Sequence, residues 1–275
     1  MLRNFNRLSC KSCSVVAWRL CTTSSVLVDK DPSGYVVSVS LNDIPTRNSL
    51  SLKLMQDLRN TLSDIADSGA RVVVLRSNTP KVFSSGHNLK EILSKEDLNG
   101  LFRLCVNLMR DVRAMPQAVI AEVDGVATAA GCQLVASCDL AVATTTSKFA
   151  TPGVNIGLFC STPAVAVARN VSYKHAMEML LTGDFIDANH AQRIGLINRV
   201  VAPEELQKEV QKLSFQIASK SPQVIAFGKG IFQKQIELNE KDAYDLTAEA
   251  MVTNMDFADA ENGIAAFLEK RTPVF

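Results

Sequence analysis

The stretch VDGVATAAGCQLVASCDLAVA, residues 123–143, decides the fold. Its first residues close AVIAEVDG at 118–125, a β-branched and apolar run that reads as a strand. The small residues Ala129, Ala130 and Gly131 follow, and a helix is expected from about Gly131. LAVAT at 140–144 then reads as the next strand. Strand, tight turn, helix and strand in succession argue for an α/β core. The turn carries the chemical interest. A helix that opens directly out of it leaves its first N–H groups without intrahelical acceptors, and glycine lets a ligand come close to the backbone.

The same alternation extends to both sides. YVVSVSL at 35–41 reads as a strand that ends in the turn-like NDIP. Ser51 is placed to cap a helix carrying Leu52, Met55, Leu58, Leu62 and Ile65, stopped by Ser68-Gly69. RVVVLR at 71–76 has the continuous apolarity of a strand buried on both faces. A helix is expected around Leu98–Met115. In DANHAQRIGLINRVV at 187–201, Asp187 caps a short helix, Gly195 ends it and LINRVV continues as a strand. Beyond Pro203 the spacing of Leu206, Val210, Leu213 and Ile217 is helical, Ser221-Pro222 breaks it, and further helices run to about Arg271. A core over 29–203 and a helical C-terminal region over 204–275 are expected.

Composition limits the functional classes. The 275 residues, 47% of them hydrophobic, suffice for a full core. Residues 1–28 carry Arg3, Arg7, Lys11 and Arg19 with no acid before Asp29, interleaved with apolar, Ser, Thr and Cys residues; this is the composition of a mitochondrial presequence and points to the matrix. The remainder holds 25 basic and 28 acidic side chains, which leaves no nucleic-acid footprint. No apolar run reaches the roughly 20 residues of a membrane span. Cys105, Cys132, Cys138 and Cys160 lack metal-ligand spacing and read as buried free thiols, and His175 and His190 are isolated on helical patterns, so no metal is expected.

A second glycine-containing turn, VFSSGHNLKE at 82–91, also takes a strand into a helix. Together with 123–143, PTRNSLSLKLMQDL at 45–58, LLTGDFIDANHAQRIGLINRVV at 180–201 and GIAAFLEKR at 263–271, it resembles the crotonase (enoyl-CoA hydratase/isomerase) family over everything after the presequence. The resemblance implies a spiral of repeated strand-strand-helix units with a C-terminal helical region. It implies an acyl-CoA ligand, no other cofactor, and a homotrimer or hexamer built through the C-terminal helices. It places the two backbone donors of an oxyanion hole at His87 and Ala130, beside the turn residues Ser85, Gly86 and Gly131. Pantetheine and adenine contacts fall on Asn88, Leu89 and Lys90, and phosphate contacts on Arg47 and Lys53. Phe267 and Lys270 would reach the adenine or pyrophosphate, either within the chain or from a neighbouring subunit.

One departure matters for mechanism. Hydratases of the family use two glutamates, and the matching positions are Gln133 and Gly153. An amide exchanges no proton near neutral pH, and glycine has no side chain, so ordinary hydration is expected to be weak or absent. Glu91 and Asp111 are candidates for a replacement base, while Glu122, Asp124 and Asp139 read as structural or solvated. Two classes stay open. One is an enolate-forming enzyme such as a decarboxylase of malonyl-type thioesters, for which a His after the FSxG glycine, here His87, has family precedent. The other is an inactive acyl-CoA-binding regulator or scaffold in fatty-acid metabolism.

Overall fold

A computed structural model describes residues 24–275, so most of the expected presequence lies outside the described residues. Strand β1 (Val26–Lys30) pairs antiparallel with β2 (Val36–Leu41). The boundary expected between residues 28 and 29 therefore falls inside a strand. Helix α1 (Leu52–Ala66) starts where Ser51 Oγ accepts from the Leu54 amide at 3.2 Å. Its buried stripe runs Leu54, Met55, Leu58, Leu62 and Ile65, with Leu52 exposed.

Three rounds of strand, strand and helix follow. The first is β3 (Val72–Ser77), β4 (Val82–Ser84), α2 (Leu89–Ser94) and α3 (Leu98–Ala114). The second is β5 (Ala118–Val123), β6 (Val126–Thr128) and α4 (Ala130–Ser137). The third is β7 (Leu140–Thr144), β8 (Lys148–Ala150) and α5 (Ser161–Val167). After α6 (Tyr173–Thr182), β9 (Ile186–Asp187), α7 (Ala188–Arg193) and β10 (Arg199–Val201), the chain becomes helical. The first strand of each round joins the six-stranded sheet β1-β2-β3-β5-β7-β10, and the second joins the four-stranded sheet β4-β6-β8-β9. Parallel pairing between successive rounds, β3 to β5 to β7 and β4 to β6 to β8, winds the chain into the expected spiral.

Alternation along the large sheet separates two cores. Val37, Val39, Val73, Leu75, Val119 and Ala121 face the main core, whereas Val36, Val72, Val74, Ile120 and Val142 face α8 (Leu206–Ala218) through Leu206, Val210 and Leu213. The sheet's packing thus extends past residue 203, since α8 covers β2, β3, β5 and β7 on one face. Beyond it lie α9 (Pro222–Gln235), α10 (Glu240–Met255) and α11 (Ala258–Leu268). On α9, Lys229 Nζ donates to the Gln117 carbonyl at 2.8 Å and pairs with Asp139 at 2.5 Å, latching that helix to the end of β5. No helix among the described residues is long and apolar enough to cross a membrane.

Candidate active site

The two turns interlock. A Cβ built on Gly86 would stand 2.9 Å from Ala129 Cβ and 3.4 Å from the Ala130 nitrogen, and one on Gly131 would stand 2.5 Å from the Ser84 carbonyl oxygen. Each glycine is therefore required by the other turn. Gly86 has φ +87°, open to glycine at little cost. Ala129 takes φ +48° and ψ −118° with a Cβ present, held by its amide on the Ala150 carbonyl at 2.9 Å and its own carbonyl on the Gln133 amide at 3.0 Å. Ala130 is the first residue of α4, where an amide has no intrahelical acceptor. Among the described residues, neither the His87 nor the Ala130 amide donates to a protein carbonyl.

Asn48, which sequence reasoning missed, supports the first turn from beneath. Fully buried at φ +51°, it donates to the Phe83 carbonyl at 3.1 Å and Ser77 Oγ at 2.7 Å, and its Oδ1 accepts from the Asp43 amide at 2.8 Å. Its own carbonyl accepts from Ser84 Oγ at 2.7 Å. An asparagine in left-handed backbone can signal such a brace, but the sequence does not reveal the φ.

A cavity of about 560 Å³ opens over the two turns. Ser85, His87, Leu89, Ala129, Ala130 and Gly153 line it, joined by Ile92, Phe102 and the 155–163 segment, a wall that the sequence reading did not anticipate. The His87 ring meets Phe102 edge-on at 5.4 Å, with Nδ1 3.4 Å from the Leu50 carbonyl and Nε2 buried without a partner. Burial pushes its pKa below the ordinary histidine value, against a weaker opposing effect of the Leu50 carbonyl. The ring is therefore part of the cavity wall.

The other expected residues sort by position. Asn88 caps α2 by accepting from the Lys90 amide at 3.1 Å, and Lys90 is exposed beside it. Arg47 is exposed, and its carbonyl accepts from the Ser85 amide at 3.1 Å, which braces the first turn. Lys53 pairs with Asp57 along α1. Phe267 is exposed on α11 and Lys270 follows it at φ +56°; neither lines the cavity of its own chain. Glu91 accepts from the Leu52 amide at 3.0 Å, and Asp111 pairs with Arg59; neither lines the cavity, so both are explained as structural.

Gln133 and Gly153, the positions that the resemblance matches to two glutamates, also sit where a carboxylate would be poorly accommodated. Gln133 is buried with its Oε1 4.0 Å from Cys105 Sγ, and it is not among the cavity-lining residues. At Gly153 φ is not positive, but a Cβ there would collide with the Leu158 carbonyl oxygen and stand 2.8 Å from Cys160 Sγ. The 153–160 segment has closed over the position, with the Leu158 amide on the Gly153 carbonyl at 2.9 Å. Cys105, Cys132 and Cys160 are buried and Cys138 is partly so; burial pushes Cys105 and Cys132 up to about 12, and these thiols stay protonated.

A spiral of strand-strand-helix units with two interlocked turns under an apolar cavity is the architecture of one protein class: the chain belongs to the enoyl-CoA hydratase/isomerase family, whose pattern matches residues 32–275. Within that family it resembles enoyl-CoA hydratase domain-containing protein 3, mitochondrial. The Xenopus laevis protein of that name is 46% identical over 240 residues (86% of this chain, 82% of the relative), and the Danio rerio protein is 43% identical over 280 residues (100% and 97%). The crystal structure of the human protein superposes with a TM-score of 0.88 at 44% identity, covering 91% of this chain and 100% of that one. An enoyl-CoA hydratase from Bacillus anthracis, 28% identical, reaches 0.86 with 91% and 98% covered.

Proposed function

We propose that this is a mitochondrial acyl-CoA-binding protein of lipid metabolism that grips the thioester carbonyl but does not hydrate it efficiently. The observation carrying this reading is the contact between the two turns, which sets two amides without protein acceptors at the base of one cavity. Such donors stabilise a polarised carbonyl or an enolate wherever charge collects on the oxygen. The compartment follows from the basic, acid-free residues 1–28 together with the mitochondrial names of the relatives. Arg47 and Lys53 are assigned to the phosphates and Lys90 to the pantetheine and adenine, with Phe267 and Lys270 reaching the nucleotide from a neighbouring copy in a trimer or pair of trimers.

The test is calorimetry with non-hydrolysable acyl-CoA analogues on wild type and on Gly131→Val, with circular dichroism to verify folding. A folded Gly131→Val that binds as tightly as wild type removes the site. A panel of enoyl-, malonyl-, methylmalonyl- and 3-hydroxyacyl-CoA thioesters, followed by mass spectrometry, separates an enzyme from a binder.

A second reading is favoured by the buried, unpartnered Nε2 of His87. With Nδ1–H directed at the Leu50 carbonyl, Nε2 carries the lone pair and can take the α-proton of a bound acyl group, whose electron pair moves onto the thioester oxygen at the two amides. Returning the proton restores the substrate, so in deuterium oxide the acyl α-carbon gains deuterium. His87→Ala should abolish that exchange and retain binding.

A further inference from the structure

We infer that Cys160 is a nucleophile of this cavity, which adds its thiol to C3 of a bound 2-enoyl-CoA and holds it as a covalent thioether. The inference rests on the thioester-site reading above and adds to it a bond-forming residue and a class of acyl group, the α,β-unsaturated thioesters. Three observations carry it. First, a Cβ built on Gly153 would stand 2.8 Å from Cys160 Sγ, so the sulfur occupies the space through which a side chain of residue 153 would run into the site. Second, Cys160 alone among the described thiols lines the cavity. Cys105 and Cys138 donate elsewhere, to Gln133 Oε1 and the Leu134 carbonyl, and Cys132 is fully buried outside the lining. Third, His87 lines the same cavity with its Nε2 buried and unpartnered, which leaves a base free to accept a proton.

The step balances without an oxidant or reductant. Burial raises the Cys160 thiol, against a weaker opposing effect of the Gly153 amide, so the sulfur meets the substrate protonated and needs a base. His87 Nε2 takes the Sγ proton and the Sγ–C3 bond forms. The electron pair of the C2=C3 π bond moves onto the thioester oxygen, where the His87 and Ala130 amides hold the enolate. The proton then passes from Nε2 to C2. No group leaves, so the adduct keeps its CoA and each protein molecule reacts once. Attack at the carbonyl carbon would only exchange one thioester for another, whereas attack at C3 converts a π bond into a C–S bond. A saturated acyl-CoA has no electrophilic C3 and would bind without reacting.

The experiment incubates the full protein with crotonyl-CoA and follows its intact mass, with peptide mapping to locate the added group and butanoyl-CoA as the unreactive competitor. Wild type should gain the whole mass of one crotonyl-CoA at Cys160, and butanoyl-CoA should protect it. Cys160→Ser, shown to be folded by circular dichroism, should form no adduct at residue 160 while still binding butanoyl-CoA in calorimetry. His87→Gln should slow adduct formation by about 100-fold or more. Gain of the crotonyl group alone with release of free CoA overturns the inference by moving the attack to the carbonyl. Adducts confined to other thiols, such as Cys10, Cys13 and Cys21, overturn it, as does an adduct rate unchanged in His87→Gln. Absence of any adduct in a protein that binds butanoyl-CoA overturns it while leaving the thioester site standing. Failure of both thioesters to bind better than free CoA removes the underlying site reading instead.

Discussion

Restoring the two family glutamates is expected to fail at residue 153, and the reason can be sized. In Gly153→Ala the new methyl collides with the Leu158 carbonyl oxygen and lies 2.8 Å from Cys160 Sγ, where ordinary carbon contacts lie near 3.5–4.0 Å. The 153–160 segment must yield by about 1 Å, and overpacking of this kind costs about 1–3 kcal/mol. If it yields by giving up the bond from the Leu158 amide to the Gly153 carbonyl, about 1 kcal/mol more is lost. A total of about 2–4 kcal/mol lowers Tm by roughly 5–15 °C in a domain of this size. Gly153→Glu carries the same clash plus the longer side chain, and Gln133→Glu buries a carboxylate beside Cys105. Differential scanning calorimetry measures the first effect, and loss of crotonyl-CoA enoyl absorbance measures hydration. The double variant should stay at wild-type background. An unchanged Tm for Gly153→Ala, or rapid hydration by a folded double variant, would refute the closed-loop argument.

Three further outcomes are expected. Asn48→Ala strips partners from the Phe83 carbonyl and the Asp43 amide, which should cost about 2–4 kcal/mol in urea unfolding and weaken acyl-CoA binding without any contact to ligand. Lys229→Met leaves the partly exposed Asp139 carboxylate, just before β7, without its cation; a loss of about 1–3 kcal/mol is expected, partly recovered by adding Asp139→Asn. His87 has a folded pKa below its unfolded value, so its contribution to stability is present above about pH 6.5 and is lost as pH falls through the lowered folded value. Urea midpoints at pH 7.5 and pH 5 should therefore differ more in wild type than in His87→Gln, and equal differences would place the ring in solvent.

The strands and helices that the sequence exposes are those with a long enough pattern. α1 shows its stripe over four turns and its Ser51 cap, and β3 shows an apolar run that the two-sided core explains. The second sheet was legible only by resemblance, because β4, β6 and β8 span three residues each, too few to establish a period. The turns were readable because glycine and alanine cluster where backbones cross. Asn48 and the 155–163 wall were not: one depends on a left-handed φ and the other on how a loop folds back. Gln133 was visible as a missing acid, but its facing Cys105 depends on the rotation of α4 against α3.

The backbone at Ala129 has a kinetic consequence. Its torsions, disfavoured for a residue with a Cβ by about 1–3 kcal/mol, are held by hydrogen bonds to β8 and within α4 that exist before any ligand arrives. The direction of the Ala130 N–H is thus fixed by folding, and a ligand has no loop to order when it docks. Association should then follow a single concentration-dependent phase, with no slower first-order step from backbone rearrangement. Ala129→Gly, which relaxes the torsion, would let that N–H swing, and its signature would be faster dissociation in a protein that is no less stable.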